Sequence, residues 1–242
     1  MPIPPDHADR VRALFTRIAP RYDLLNGIMA LGQDSRWRAE VLRRADLRPG
    51  GRLLDIGSGT GDLANTARRM YPSMQVVAAD FTLGMVRIGQ GRAALDWSNA
   101  DALSLPFGDS IFDSVVSGFL LRNVCDCAQA LREQYRVLRS PDPASGSPGG
   151  KVVILDTTRP SRNLLTPLIW IHMHAVIPAL GLWLAGSRAD YAYLTASTEN
   201  FFRAETLAGM MREAGFTQVG FQRRMFGTIA IHWGQKPAAP VA

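Results

Sequence analysis

The chain has 242 residues, 47% of them apolar and 20% charged, enough to bury the core of one globular domain and too apolar for a disordered tail. Collagen and small disulfide-rich scaffolds are excluded as well. Basic residues number 27 against 21 acidic ones, a net charge of +6, and all but Lys151 and Lys236 of the basic residues are arginines. That balance suits nucleic acid or an anionic membrane surface, and equally well a set of solvated, arginine-rich helix faces.

Residues 1–12 carry prolines and mixed charges where a secretory signal needs an apolar core, so no export is expected. Residues 8–18 and 35–45 read as amphipathic, arginine-rich helices able to cap one edge of a ligand crevice, and Gly50-Gly51 punctuates the approach to the first strand. Apolar runs ending at a small or acidic residue predict strands at 52–56, 75–80, 111–117 and 151–156. Helical patterns at 62–70, 82–92 and 125–138 separate them. This alternation is that of an α/β fold, a mainly parallel, doubly wound sheet with helices on both faces. Residues 140–150, rich in Pro, Gly and Ser, read as a flexible loop, and 219–221 and 228–233 as a late pair of strands. Cys125 and Cys127, the only cysteines, are too few for a structural zinc site and too close for an ordinary disulfide, which points to a reducing, cytoplasmic compartment.

Residues 163–187 contain no Asp, Glu, Lys or Arg and are rich in Leu, Ile, Trp and Met. The length matches a membrane span of about 20 residues. Against a span stand Pro167, Pro178, Gly181, His172 and His174, and the late strands, which a single crossing would strand on the far side. The stretch is read instead as an apolar lid that is buried or rests on lipid.

The most specific signal is Leu53-Leu54-Asp55-Ile56-Gly57-Ser58-Gly59-Thr60-Gly61-Asp62: an apolar strand ending in Asp, alternate glycines, then a helix. Glycine permits close backbone approach to a ligand, and the helix N-terminus offers free N–H groups. A dinucleotide fingerprint would place its last glycine at 62, where this chain has Asp62, and the observed spacing favours S-adenosylmethionine. Asp55 then helps hold the methionine ammonium, directly or through loop amides and water. Asp80, at the end of the next strand, is placed to accept both ribose hydroxyls, and Asp101, followed by Ala102, to accept from the adenine amino group.

Four blocks, at 15–26, 55–62, 121–124 with 136–138, and 190–194 with 205–216, resemble the ubiquinone/menaquinone biosynthesis C-methyltransferase family over roughly residues 15–234. The resemblance implies a Rossmann-like, seven-stranded class I methyltransferase sheet, mostly parallel with an antiparallel last strand. It divides the chain into an N-terminal helical cap, 1–48, and a methyltransferase domain, 49–242, with the lid at 163–187. The implied reaction is methyl transfer from S-adenosylmethionine to a ring carbon of a polyprenylated quinol, with no metal. By the same resemblance cofactor contacts fall on Thr60, Asp80, Asp101, Ala102 and Gly118, and the turn and strand-end readings add Asp55, Gly57, Gly59, Gly61 and Phe81 to the candidate cofactor set. Arg122 and Asn123 face the reacting ring, Tyr22 and Asp23 close over the site, and Trp170, His172, His174 and Tyr193 are substrate candidates. Leu120 stands where the family usually has glycine, and Asp34-Ser35 where it has His-Arg, which leaves the head group open.

Ring methylation needs an ionised hydroxyl beside the attacking carbon and an in-line sulfonium methyl. Arg122 suits the phenolate charge but is too basic to accept its proton. A water held by Asn123 and a carboxylate, or His172 or His174, could take it. These expectations describe an enzyme at the inner face of the cell membrane, peripheral to anionic lipid, with no nucleic-acid partner and with a homodimer left open. The alternatives are methylation of another small molecule or of RNA, and an accessory subunit that binds the cofactor without chemistry.

Overall fold

The computed structural model describes residues 7–18, 27, 30, 32–144, 146–159 and 201–238. Two helices, α1 (His7–Ile18) and α2 (Asp34–Arg44), precede β1 (Arg52–Ile56). Then follow α3 (Asp62–Met70), β2 (Gln75–Asp80), α4 (Leu83–Gln90), β3 (Asp96–Asn99), β4 (Ser114–Gly118), α5 (Cys127–Val137) and β5 (Lys151–Thr157). After the stretch 160–200, α6 (Ala204–Glu213), β6 (Thr217–Arg224) and β7 (Ile229–Gln235) complete the described elements.

The strands form one seven-stranded sheet in the order β3-β2-β1-β4-β5-β7-β6. The β1–β5 strands pair in parallel, and β7 runs antiparallel to both neighbours, with Lys151 opposite Gln235 and Thr157 opposite Ile229. Near-continuous apolar runs such as Val152–Val153–Ile154–Leu155 belong in strands covered on both sides. Leu54, Ile56, Val115 and Ile154 pack on one face with Leu131 of α5 and Leu207 and Met211 of α6. Leu53, Val116, Val153 and Leu155 pack on the other with Trp37, Val41 and Leu42 of α2 and Leu63 and Ala67 of α3. Helix α2 is therefore a layer of the core, whereas the cap read for 35–45 would have set it over the crevice.

Other boundaries move for local reasons. The third expected strand begins at Ser114, because the amides of Ile111 and Phe112 donate to the Val137 carbonyl and Phe112 bridges Leu138. Helix α5 starts at Cys127, where Asp126 caps it by accepting from the Gln129 amide at 2.9 Å. The helix expected at 82–92 is trimmed to Leu83–Gln90, and both late strands are longer than expected. Loop 140–150 is turned by reciprocal amide–carbonyl bonds between Asp142 and Ser147, at 2.9 and 3.1 Å.

The edge strand β3 and helix α6 lie outside the expected elements. Asp96-Trp97-Ser98-Asn99 shows no apolar alternation, yet Trp97 carries a structural load: its ring lies 2.9 Å from where a methyl on Gly61 would sit and would overlap a methyl on Gly89. One indole thus braces the glycine loop against α4. Gly89→Ala is predicted to destabilise the protein by about 1–3 kcal/mol through overpacking. In a Trp97→Leu background the same change should cost little, because alanine is then only the better helix former. Urea unfolding of the four proteins measures the coupling, and equal costs in both backgrounds would refute the brace.

Candidate active site

The C-terminal ends of β1, β2 and β4 open on a cleft of about 150 Å³. Its floor is the loop after β1, where Gly57, Gly59 and Gly61 have φ of 67°, 57° and 89°, a left-handed region that side chains rarely enter. Gly57 is doubly constrained, since a Cβ there would lie 2.8 Å from Leu120 Cδ1. Gly57 and Gly59 line the cleft, while Gly61 serves as N-cap of α3.

Asp80 fastens this loop. Its Oδ2 accepts the Gly59 amide at 2.8 Å and its Oδ1 the Thr82 amide at 2.8 Å, and the carboxylate borders the cleft. Burial raises its pKa against the pull of those two amides. Asp101 turns the next segment by accepting from the Leu103 amide at 2.9 Å, so that Asp101, Ala102 and Leu103 form a side wall. Phe81 also lines the cleft, with the Arg12 guanidinium 4.1 Å above its ring. Gly118 closes the group at the end of β4, and a Cβ on it would meet no atom within 4 Å.

Asp55 sits behind the loop and is not among the lining residues. It is 1% exposed, its Oδ2 accepts the Ala64 amide in the first turn of α3 at 3.0 Å, and its Oδ1 has no partner among the described residues. The strand-end acid thus anchors the first turn of the helix whose N-terminus faces the loop. Burial raises its pKa to about 7, with the Ala64 amide pulling the other way. Thr60, 1% exposed, lies outside the lining too.

Beyond β4, Phe119 holds a left-handed φ of 58° and leads into a 3-10 turn, Leu121–Asn123. Asn123 lines the cleft and donates from Nδ2 to the Phe119 carbonyl at 2.8 Å. Arg122 is not among the lining residues; its guanidinium lies 5.1 Å from the ring of Phe119, which does line the cleft. Beneath the turn is an acid the motif reading passed over. Asp156, wholly buried at the end of β5, accepts the amides of Thr157 at 2.8 Å and Arg122 at 3.3 Å. Burial raises its pKa, and the Arg122 charge offsets part of that. It closes an apolar run as Asp55 and Asp80 do, and that repeated pattern was the available signal.

Helix α1 contributes Val11 and Phe15 to the cleft lining. Cys125 lines the mouth as well. Cys127 donates its thiol to the Leu121 carbonyl at 3.1 Å, and burial pushes that thiol up to about 12. Among the described residues no cluster of three His, Cys, Asp or Glu side chains could hold a metal ion. Tyr22, Asp23, Trp170, His172, His174 and Tyr193 lie outside the described residues.

A parallel sheet with one reversed strand, a glycine loop after β1 and an acid closing β2 defines a class I methyltransferase. The chain superposes with a TM-score of 0.62 on an S-adenosylmethionine-dependent methyltransferase of Thermotoga maritima, titled a possible histamine N-methyltransferase. That protein is 20% identical, and the match covers 93% of this chain and 99% of that one. The model of the ubiE/COQ5 methyltransferase family matches residues 6–236, and the chain belongs to that family. It is 44% identical over 229 residues to the ubiquinone/menaquinone biosynthesis C-methyltransferase UbiE of Desulfotalea psychrophila, covering 93% of this chain and 90% of that one. It is 39% identical to the demethylmenaquinone methyltransferase of Roseiflexus castenholzii, covering 98% and 97%.

The raised pKa of Asp55 has a consequence for stability. The folded state keeps a proton that the unfolded chain releases near pH 4, so folding is favoured as pH falls from 7 toward 4 and the full cost of the buried charge is felt above 7. A shift of about three units corresponds to a cost on the order of 4 kcal/mol. Asp55→Asn should remove it, so that unfolding free energies of wild type and variant diverge in the variant's favour from pH 5 to pH 8. Divergence in the opposite direction would show that the acid is stabilised as an anion.

Proposed function

We propose that this protein methylates a ring carbon of a polyprenylated quinol, of the demethylmenaquinol or ubiquinol-precursor type, using S-adenosylmethionine. The observation that carries the reading is a single cleft with the glycine loop and Asp80 on one side and the Leu121–Asn123 turn on the other. Family membership over residues 6–236 supports the reaction class, and the quinone methyltransferases among its relatives support the quinone.

The chain's residues fit the cofactor in two respects. The left-handed glycines allow backbone amides to approach a ligand without side chains intervening, and the wall at Gly118 has open space before it. Asp80 retains acceptor capacity for two ribose hydroxyls, and Asp101 stands where an adenine amino group would donate. Asp55 orients the first turn of α3, whose amides face the methionine end. The cofactor supplies an electrophilic methyl when bound. Asn123 orients the quinol or a water beside it, and the Arg122 charge, carried on a turn anchored to Asp156, favours the ionised ring hydroxyl.

The uncharged stretch 163–187 is assigned to the polyprenyl tail and to peripheral contact with an anionic membrane at its inner face. No helix among the described residues is long and apolar enough to cross a membrane. The 1–48 segment acts as a cap through α1.

Purified protein given labelled S-adenosylmethionine and demethylmenaquinol should place label on the ring, and RNA or a small amine offered instead should remain unlabelled. Arg122→Ala should keep cofactor affinity within about twofold while slowing transfer on the order of a hundredfold. Label on RNA would overturn the substrate assignment, and unaffected turnover in the variant would place the reacting ring elsewhere.

A further inference from the structure

The hairpin joining β6 to β7 is built against local preference. Met225, Phe226 and Gly227 follow one another in the left-handed region, with φ of 46°, 55° and 88°. For Met and Phe that conformation presses Cβ on the backbone, and it persists only where the surroundings impose it. Here they do. At the root, Arg223 binds both carboxylate oxygens of Glu205 at 2.7 Å, and Arg224 grips Glu40 of α2 at 2.7 and 2.8 Å. Thr228 closes the turn through its amide and its hydroxyl, both donated to the Met225 carbonyl, at 3.1 and 2.8 Å.

The turn displays Phe226, 61% exposed and the most exposed large apolar side chain among the described residues. Its place in the fold is specific. The Thr158 amide donates to the Thr228 carbonyl at 2.8 Å, and the Thr158 hydroxyl to the Phe202 carbonyl at 3.2 Å. The exit of β5, the hairpin and the point where the described chain resumes are thereby tied together, at the sheet edge on which the cleft opens. Phe202 is itself 37% exposed, and Arg159 and Arg203 beside it are exposed. In sequence, the uncharged stretch 163–187 falls between those two arginines.

We propose that the Met225–Gly227 turn is a membrane anchor: Phe226 enters the interfacial layer of an anionic bilayer while Arg159 and Arg203 meet its head groups. The inference rests on the reading above of a membrane lipid as substrate. An exposed aromatic ring on a rigid mount, with exposed arginines on the segments tied to the same hairpin and a net charge of +6, has the chemistry that meets an anionic lipid surface.

The test is sedimentation of the full chain with phosphatidylglycerol–phosphatidylcholine vesicles, together with methyl transfer to a tail-less quinol. Phe226→Ser and Phe226→Gly should each lower vesicle partitioning on the order of tenfold, the loss expected when one buried aromatic is removed. Turnover of the tail-less quinol should stay at the wild-type level. Phe226→Gly also relieves the left-handed strain, so its melting temperature should hold or rise, which separates lost anchoring from lost folding. Wild-type binding with variants that partition equally would overturn the anchor and leave the peripheral-membrane reading standing. A wild-type chain that ignores the vesicles would overturn both, and methylation of the tail-less quinol would still uphold the reaction assignment.

Discussion

The two oxygens of Asp80 accept the amides of Gly59 and Thr82, each at 2.8 Å, and this pair of bonds ties the glycine loop after β1 to the first residues after β2. Three left-handed glycines leave that loop conformationally free in the unfolded chain, and fixing it carries an entropic cost. Asp80 offsets part of the cost with charge-assisted bonds, Trp97 adds packing from the edge strand, and Leu120 presses on Gly57 from the far wall. The cleft is the space these three contacts leave open.

The buried acids repeat one design at different depths. Asp55, Asp80 and Asp156 each close a parallel strand and spend their oxygens on nearby backbone amides: Asp55 on α3 and Asp80 on the approach to α4, each the segment that follows its own strand, and Asp156 on the Leu121–Asn123 turn that follows the neighbouring strand β4. Burial raises the pKa of all three, so ionising each one costs stability as pH rises, and the amides it accepts offset part of that cost. Acids retained at that cost, on the sheet edge where ligands bind in open α/β folds, mark a functional edge. Their work is orientation: they fix loops, and the loops present amides and side chains to the cleft.

Much of this was legible in the residues. Strong apolar runs located β1, β2 and β5, the alternate glycines located the loop, and the acid ending β2 located Asp80; Asp101 was placed from its position downstream of it. Short polar elements were hidden: β3 is Asp96-Trp97-Ser98-Asn99, and only pairing with β2 makes it a strand. The start of β4 was misplaced because Ile111 and Phe112 are apolar for another reason, their contact with the exit of α5. Tertiary placement was likewise beyond the pattern. The Leu-Arg-Asn block was read as two residues facing the ring; the fold sets Asn123 in the cleft wall and the Arg122 guanidinium 5.1 Å from the Phe119 ring, a placement the motif alone does not give. Nothing in the periodicity of α2 distinguished a cap from a core layer; the burial of Trp37, Val41 and Leu42 did.

On the proposed reading, the Asp80 clamp builds a site for S-adenosylmethionine. Calorimetric titration of S-adenosylhomocysteine into wild type and Asp80→Ala, with melting curves on both, tests it most directly. Loss of hydrogen bonds worth about 2 kcal/mol or more should weaken binding roughly thirtyfold or beyond while the variant stays folded. Equal affinity in a folded variant would contradict the account, because neither the loop nor the ribose would then depend on this carboxylate.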